Sequence, residues 1–233
     1  QWLYTHPFKY RGLQVHLTHR YRSLVEQLTG SPELHWEILT AARFGGQGGM
    51  ERLKAAGWTG KPYACLAFGT RGDSKRWFPE KETWPVLARL LMEQGLEVVW
   101  LGSPGERDLG RELCERAPGS IDLTGTTTIP EAFAILRGAY GTIAIDTGLA
   151  HLSAGAGRPT VTLNSHSPEK LIQPIGPFAT MLNGPMVDLF EGQSRDWKVL
   201  SPSMLRLPMA RIASTLHLLA LESRGAALPP AGL

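Results

Sequence analysis

Tyr140-Gly141-Thr142-Ile143-Ala144-Ile145-Asp146-Thr147-Gly148-Leu149-Ala150-His151-Leu152 is the stretch that decides the fold. Its first half is a strand-like apolar run, and its second half opens a small-residue helix that should stop near Gly157. A strand that runs directly into a helix is half of a βα unit, the repeating element of a parallel sheet. The turn between the two carries a carboxylate, a hydroxyl and a glycine. Backbone N–H groups in the first turn of a helix lack intrahelical partners and lie at the positive end of the dipole, so phosphate oxygens can bind there. Gly148 lets a ligand approach the backbone closely. Two other readings fit the triplet taken alone. Asp-Thr-Gly is the catalytic triplet of aspartic proteases, but those are all-β and do not open an alanine- and glycine-rich helix with it. Asp146 or Thr147 could also be an N-cap, with Gly148 a packing residue and no ligand at all. The triplet by itself leaves cap and site undecided.

On both sides of this stretch the chain alternates. Residues 63–68 read as a buried strand, 84–94 as a helix with Val86, Leu87, Leu90 and Leu91 on one face and Pro85 in its first turn, and 97–101 as the next strand. A helix is predicted over 106–117, a short strand over 121–123, a helix over 130–137, a strand over 142–145 and another over 160–163. Strands separated by helices imply a parallel sheet with right-handed crossovers, so the fold class is α/β with a Rossmann-like sheet flanked by helices. Past Pro168 the pattern weakens until a final helix over 212–221, and the tail around Leu228-Pro229-Pro230 is expected to fray.

Before Gly60 the character differs. Residues 14–28 have helical periodicity, and Phe44-Gly45-Gly46-Gln47-Gly48-Gly49-Met50 reads as a hinge or ordered loop followed by a short helix over 52–58. The expected organisation is an N-terminal helical and linker segment over 1–60, a nucleotide-binding domain over 61–224 and a frayed tail over 225–233. A chain of 233 residues with 42% hydrophobic content can bury a sizeable core. A net charge of +3 suits a small acidic ligand or an anionic surface better than a nucleic acid. The two cysteines, Cys65 and Cys114, have neither CxxC nor zinc spacing, which points to inert thiols in a reducing, cytoplasmic setting. No apolar run is long enough to span a bilayer and no signal-peptide pattern opens the chain. His16 and His19 stand three apart without a third ligand nearby, so no metal is expected there. Nicotinamide and P-loop fingerprints are lacking after the first strand.

In an open parallel sheet, ligands bind outside the carboxyl ends of the strands. That rule gathers the unusual residues. Thr70, Lys75, Arg76 and Trp77 follow the first strand, Glu106 the second, Thr126-Thr127-Thr128 the short one, and Asp146-Thr147-Gly148 the fourth. Lys75 and Arg76 are donor-only cations suited to a diphosphate, or an ordinary solvated pair. Glu106 could accept from ribose hydroxyls, or favour a helix dipole as a first-turn acid. Thr127 could meet a base, while Thr128 is a good N-cap; His151 lies one turn beyond Thr147 and either faces a ligand or holds the turn.

With these residues assembled, the chain resembles the C-terminal half of glycosyltransferase family 9, the ADP-heptose:lipopolysaccharide heptosyltransferases. The resemblance is carried by Gly69-Thr70, Lys75-Arg76-Trp77 with Pro79-Glu80, Val98 to Gly102 with Glu106, Asp122 to Gly125, and Asp146 to Leu152. It implies a GT-B enzyme whose C-terminal domain holds the nucleotide sugar. Thr70 and Lys75 would be phosphate ligands, Glu106 the ribose acceptor and Thr127 a neighbour of adenine, with Asp146, Thr147, Gly148, Leu149 and His151 around the diphosphate and sugar. It further implies inverting, metal-independent transfer from ADP-heptose or a related donor to a lipopolysaccharide-type glycan or glycolipid. No cofactor and no nucleic acid would take part, and the enzyme would be cytoplasmic with peripheral contact to the inner membrane. Three departures stand out: no catalytic base or glycine-rich entry loop can be assigned, Arg71 to Ser74 is one residue longer than the family loop, and Leu163-Asn164-Ser165-His166-Ser167-Pro168 replaces the usual Phe-Gly-Pro-Thr. Sugar specificity is the property most exposed to the last change. A non-catalytic nucleotide-sugar-binding module and a GT-B-like epimerase are the competing readings.

Overall fold

The computed structural model describes residues 48–70, 75–77, 79–164, 169–183 and 207–225. In chain order the elements are α1 (Gly48–Ala55), β1 (Tyr63–Ala67), α2 (Glu80–Glu93), β2 (Glu97–Trp100), a 3-10 turn (Pro104–Glu106), α3 (Arg107–Arg116), β3 (Ile121–Asp122), α4 (Ile129–Gly138), β4 (Gly141–Ile145), α5 (Gly148–Gly155), β5 (Thr160–Asn164), α6 (Glu169–Ile172), β6 (Ala179–Asn183) and α7 (Met209–Gly225). The strands form one parallel sheet in the order β3-β2-β1-β4-β5-β6. This is the doubly wound α/β arrangement that the alternation predicts, with the order reversing between β1 and β4.

Strand alternation divides the core in two. Ala64, Leu66, Phe68, Val98, Trp100, Ile143, Ile145, Val161 and Leu163 point to one face, which α2, α3 and α7 cover with Trp84, Leu87, Leu91, Leu113, Ile212 and Leu216. Tyr63, Cys65, Val99 and Leu101 point to the other, under Leu53 of α1 and Ile135 and Leu136 of α4. Further along that second face the residues become small: Ala67 and Ala144 meet Ala150 of α5. Ser153 of the same helix lies 2.8 Å from Thr142 Oγ1 and 2.9 Å from Thr160 Oγ1.

Several expectations need correction. Gly48-Gly49-Met50, read as loop, form the first turn of α1. Glycine is tolerated there because the helix packs directly on α4: a Cβ on Gly49 would overlap the backbone carbonyl of Glu131 and crowd Ala134. Helix α2 begins a turn earlier than its apolar stripe, so Pro85 lies inside it rather than in the first turn. Acids at Glu80 and Glu82 favour that earlier start, and Thr83 Oγ1 lies 3.0 Å from both the Trp77 and Pro79 carbonyls. Helix α7 is longer than 212–221, and α6 and β6 were not expected at all. β6 is a half-buried edge strand with no continuous apolar run, which hides it from pattern reading. The helix expected over 14–28, Phe44 to Gln47 of the glycine-rich stretch, the pair His16 and His19, and the tail 226–233 lie outside the described residues. Among the described residues no helix is long and apolar enough to cross a membrane.

Candidate nucleotide site at the carboxyl edge of the sheet

Strands β1 and β4 are neighbours in register, Ala64 with Gly141 through Ala67 with Ala144, so the chain segments that leave them emerge side by side. Lys75 comes after β1 and Asp146 directly follows β4. Their side chains meet, with Lys75 Nζ 2.6 Å from Asp146 Oδ2, and the carboxylate is only 10% exposed. The ion pair therefore sits where the strand order reverses, the place where open α/β sheets take their ligands.

The turn after β4 resolves one ambiguity of the sequence. Thr147 occupies the N-cap position of α5 with extended backbone (φ −146, ψ 161), yet its side chain makes no capping hydrogen bond. Capping thus does not account for the hydroxyl. Gly148 is exposed, and an added Cβ would meet nothing within 4 Å, so packing does not account for the glycine either. Leu149 is half-buried against the small-residue core, and His151 is exposed on the next turn. The Ala and Ser face of α5 lets the helix lie close on the sheet, which brings its N-terminal N–H groups down to the strand ends.

Glu106 takes the helix-start role, one of the two that the sequence left open. One carboxylate oxygen accepts from the Ser103 N–H at 2.6 Å and from its hydroxyl at 2.9 Å, closing a capping box around the 3-10 turn that leads into α3. The carboxylate also rests on Gly69, where a Cβ would collide with both oxygens. Gly69 directly follows a buried strand and faces the acid that comes after the neighbouring strand β2, a contact that the sequence reading did not foresee. Gly102 and Gly125 are held small for similar reasons, Gly102 against Glu106 and Thr124, and Gly125 (φ +66) against the Pro104 backbone.

The threonine run also separates by function. Thr126 Oγ1 donates to the Leu123 carbonyl at 2.9 Å. Thr128 is the N-cap of α4, exchanging bonds with Glu131, which is also gripped by Arg52 Nε and Nη2 at 3.1 and 2.9 Å. The Thr128 N–H, with Arg52 second, holds the Glu131 carboxyl below its ordinary range. Thr127 is half-buried, and its side chain makes no hydrogen bond to another described residue. Thr70, also half-buried, closes the described part of the loop after β1. Of the neighbouring cations, Arg76 lies 3.4 Å from the buried Glu80, and Trp77 is fully buried edge-on against Trp84, so that pair builds the loop's base. The loop 71–74, whose extra residue set it apart, lies outside the described residues.

Beyond β4, the carboxyl end of β5 carries Asn164, 3% exposed, whose Nδ2 donates to Asn183 Oδ1 on β6 at 2.7 Å. Asn183 Nδ2 in turn donates to Glu169 Oε2 at 2.6 Å. Away from the site, Cys65 is wholly buried and its thiol is pushed up by desolvation, consistent with an inert core residue.

Residues 1–189 match the family model described as glycosyltransferase family 9 (heptosyltransferase). Lipopolysaccharide heptosyltransferase 1 of Salmonella typhimurium is 35% identical over 104 residues, which cover 44% of this chain and 32% of that protein. Among solved structures, the ADP-heptose lipopolysaccharide heptosyltransferase II of Escherichia coli superposes with a TM-score of 0.67 at 20% identity, covering 83% of this chain and 56% of that one. An Escherichia coli heptosyltransferase solved with ADP gives 0.66 at 21% identity, covering 91% and 59%. The match thus spans about a third of the curated relative and somewhat over half of the solved chains, and the structural likeness shows a shared fold. With the family model matched over most of its length and its Asp146 to Leu152 turn at the reversal point of the sheet, the chain belongs to glycosyltransferase family 9.

Proposed function

We propose that the described domain binds the nucleotide-sugar donor of a heptosyltransferase-type reaction, ADP-heptose or a close relative. The observation that carries this reading is the order of the strand ends. Running across the sheet from β3 to β4, the chain offers Thr127, then Glu106, then Thr70 and Lys75, then Asp146 to His151. Base, ribose, diphosphate and sugar are joined in that same order in the donor. Neighbouring strands stand about 4.8 Å apart, so β3 and β4 are separated by about 14 Å, within reach of an extended nucleoside diphosphate.

Each residue then has a task. Thr127 meets the base edge and the Glu106 carboxylate accepts from the ribose hydroxyls. Lys75 and the N–H groups of α5, with the Thr147 hydroxyl, hold the diphosphate oxygens, and Gly148 allows the close approach. These groups act most strongly when charge builds on the departing diphosphate, which is how a donor site accelerates transfer. An acceptor hydroxyl attacks the anomeric carbon from the opposite side, the bond to the diphosphate oxygen breaks, and a carboxylate outside the described domain takes the hydroxyl proton. The sugar is delivered with inversion, ADP leaves, and neither metal nor cofactor is required. The acceptor is a lipopolysaccharide-type glycolipid, met at the cytoplasmic face of the inner membrane.

Calorimetry with ADP and with ADP-heptose tests the donor reading. Binding of both by a folded sample is the expected result; a folded sample that binds neither overturns it.

A further inference from the structure

Beyond the diphosphate turn the site does not stop. Ile145 of β4 pairs with Leu163 of β5, so Asp146 and Asn164 follow as lateral neighbours, about 4.8 Å apart. Alternation puts them on one face, the same face as the in-register pairs Thr142 with Thr160 and Ala144 with Thr162. Asn164 pairs in register with Asn183. The row of strand ends thus continues past the phosphate position with two amides and then the Glu169 carboxylate.

The polarity of this row is fixed by its last member. Ionised Glu169 is acceptor-only, so Asn183 must turn its Nδ2 toward it and its Oδ1 toward Asn164. Asn164 then turns its own Nδ2 to β6 and its carbonyl oxygen away from it. Such a row is unsuited to a phosphate, which Glu169 would repel. It is suited to hydroxyl groups, which both donate and accept. Asn164 is buried and Asn183 exposed, so the row runs from the sheet edge out to solvent.

We propose that Asn164, Asn183 and Glu169 form the part of the donor site that reads the hydroxyls of the transferred sugar. The assignment rests on the donor reading above and takes it one strand further. It gives a role to Asn164, which lies where this chain departs from the family pattern.

The experiment compares Asn183→Ala and Glu169→Gln, both at positions outside the buried core, with the parent protein in calorimetry against ADP, ADP-heptose and ADP-glucose. ADP affinity is expected to stay within about twofold, while ADP-heptose affinity falls about tenfold and the preference between the two nucleotide sugars shrinks. Equal losses for ADP and ADP-heptose would show that the row merely fastens β6, and unchanged binding of all three would show that the sugar lies elsewhere; either result overturns the assignment. A parent protein that binds none of the three removes the donor reading itself, whereas normal parent binding with unaltered variants removes only the sugar assignment.

Discussion

The aromatic core on one face of the sheet and the part of the other face under α5 are built from opposite kinds of side chain. One is filled with rings: Trp77, Trp84, Trp100 and Phe68 are buried there in edge-to-face contacts with centroids 5.2 to 6.5 Å apart. The other, over β4 and β5, holds Ala67, Ala144, Ala150, Thr142, Ser153 and Thr160. Bulk on the first face supplies apolar burial and so stability. Smallness on the second supplies proximity, because α5 can descend until its N-terminus stands at the strand ends. The ring-filled core holds the fold together, and the small-residue patch sets the height of α5 over the strand ends.

Substitutions on each face should therefore separate stability from binding. Trp84→Ala is expected to cost about 3–5 kcal/mol in denaturant unfolding while the folded fraction keeps its ADP affinity. Loss of ADP binding in step with this truncation would erase the distinction. Ala144→Leu should cost about 1–3 kcal/mol through overpacking and also weaken ADP binding, since the helix it lifts carries the turn proposed to hold the phosphates. If calorimetry of that variant matched the parent, proximity of α5 would not be what makes the site.

Within the site the effects turn from stability to affinity. Lys75→Ala should weaken ADP about ten- to a hundredfold and adenosine much less, and it should also lower the melting temperature because the Asp146 carboxylate, only 10% exposed, loses this partner. Equal losses for the two ligands would place Lys75 away from the phosphates. Gly148→Ala has room for its methyl in the unliganded domain and should raise stability by about 0.4–1 kcal/mol while lowering ADP affinity. A rise in both would mean that no ligand approaches that backbone. The smallest effect is expected at Glu131, whose folded-state pKa is lowered chiefly by the Thr128 N–H. Its carboxylate stabilises the fold above the unfolded value of about 4.3, and that contribution fades as pH falls through the folded value. The difference in melting temperature between the parent and Glu131→Gln should accordingly be full at neutral pH and close in acid.

Much of this was readable in the chain itself. The parallel sheet followed from apolar runs such as those at Tyr63 and Gly141, because strands buried on both faces leave unbroken hydrophobic segments. The strand-end rule then picked out Lys75, Glu106 and Asp146 before any contact was known. Legibility failed where local pattern and tertiary role diverge. Gly48-Gly49 carry a loop signal by propensity, and only the direct contact with α4 explains a helix there. Pro85 signals a first turn, but Thr83 and the first-turn acids extend α2 upstream of it. β6 has no signal of its own, because pairing with β5 rather than its sequence makes it a strand.

Sequence by itself determined the elements from β1 to β5, the α/β class and the inventory of polar groups at the strand ends, since those depend on short-range periodicity and residue chemistry. Tertiary structure decided which of the groups meet. The strand order puts β4 beside β1, and so joins Lys75 to an aspartate 71 positions along the chain. It sets the Glu106 carboxylate on Gly69, leaves the Thr147 hydroxyl outside the helix cap, and extends the row to Asn164 and Asn183. Strand pairing is a long-range choice made by packing, and no local spacing encodes it.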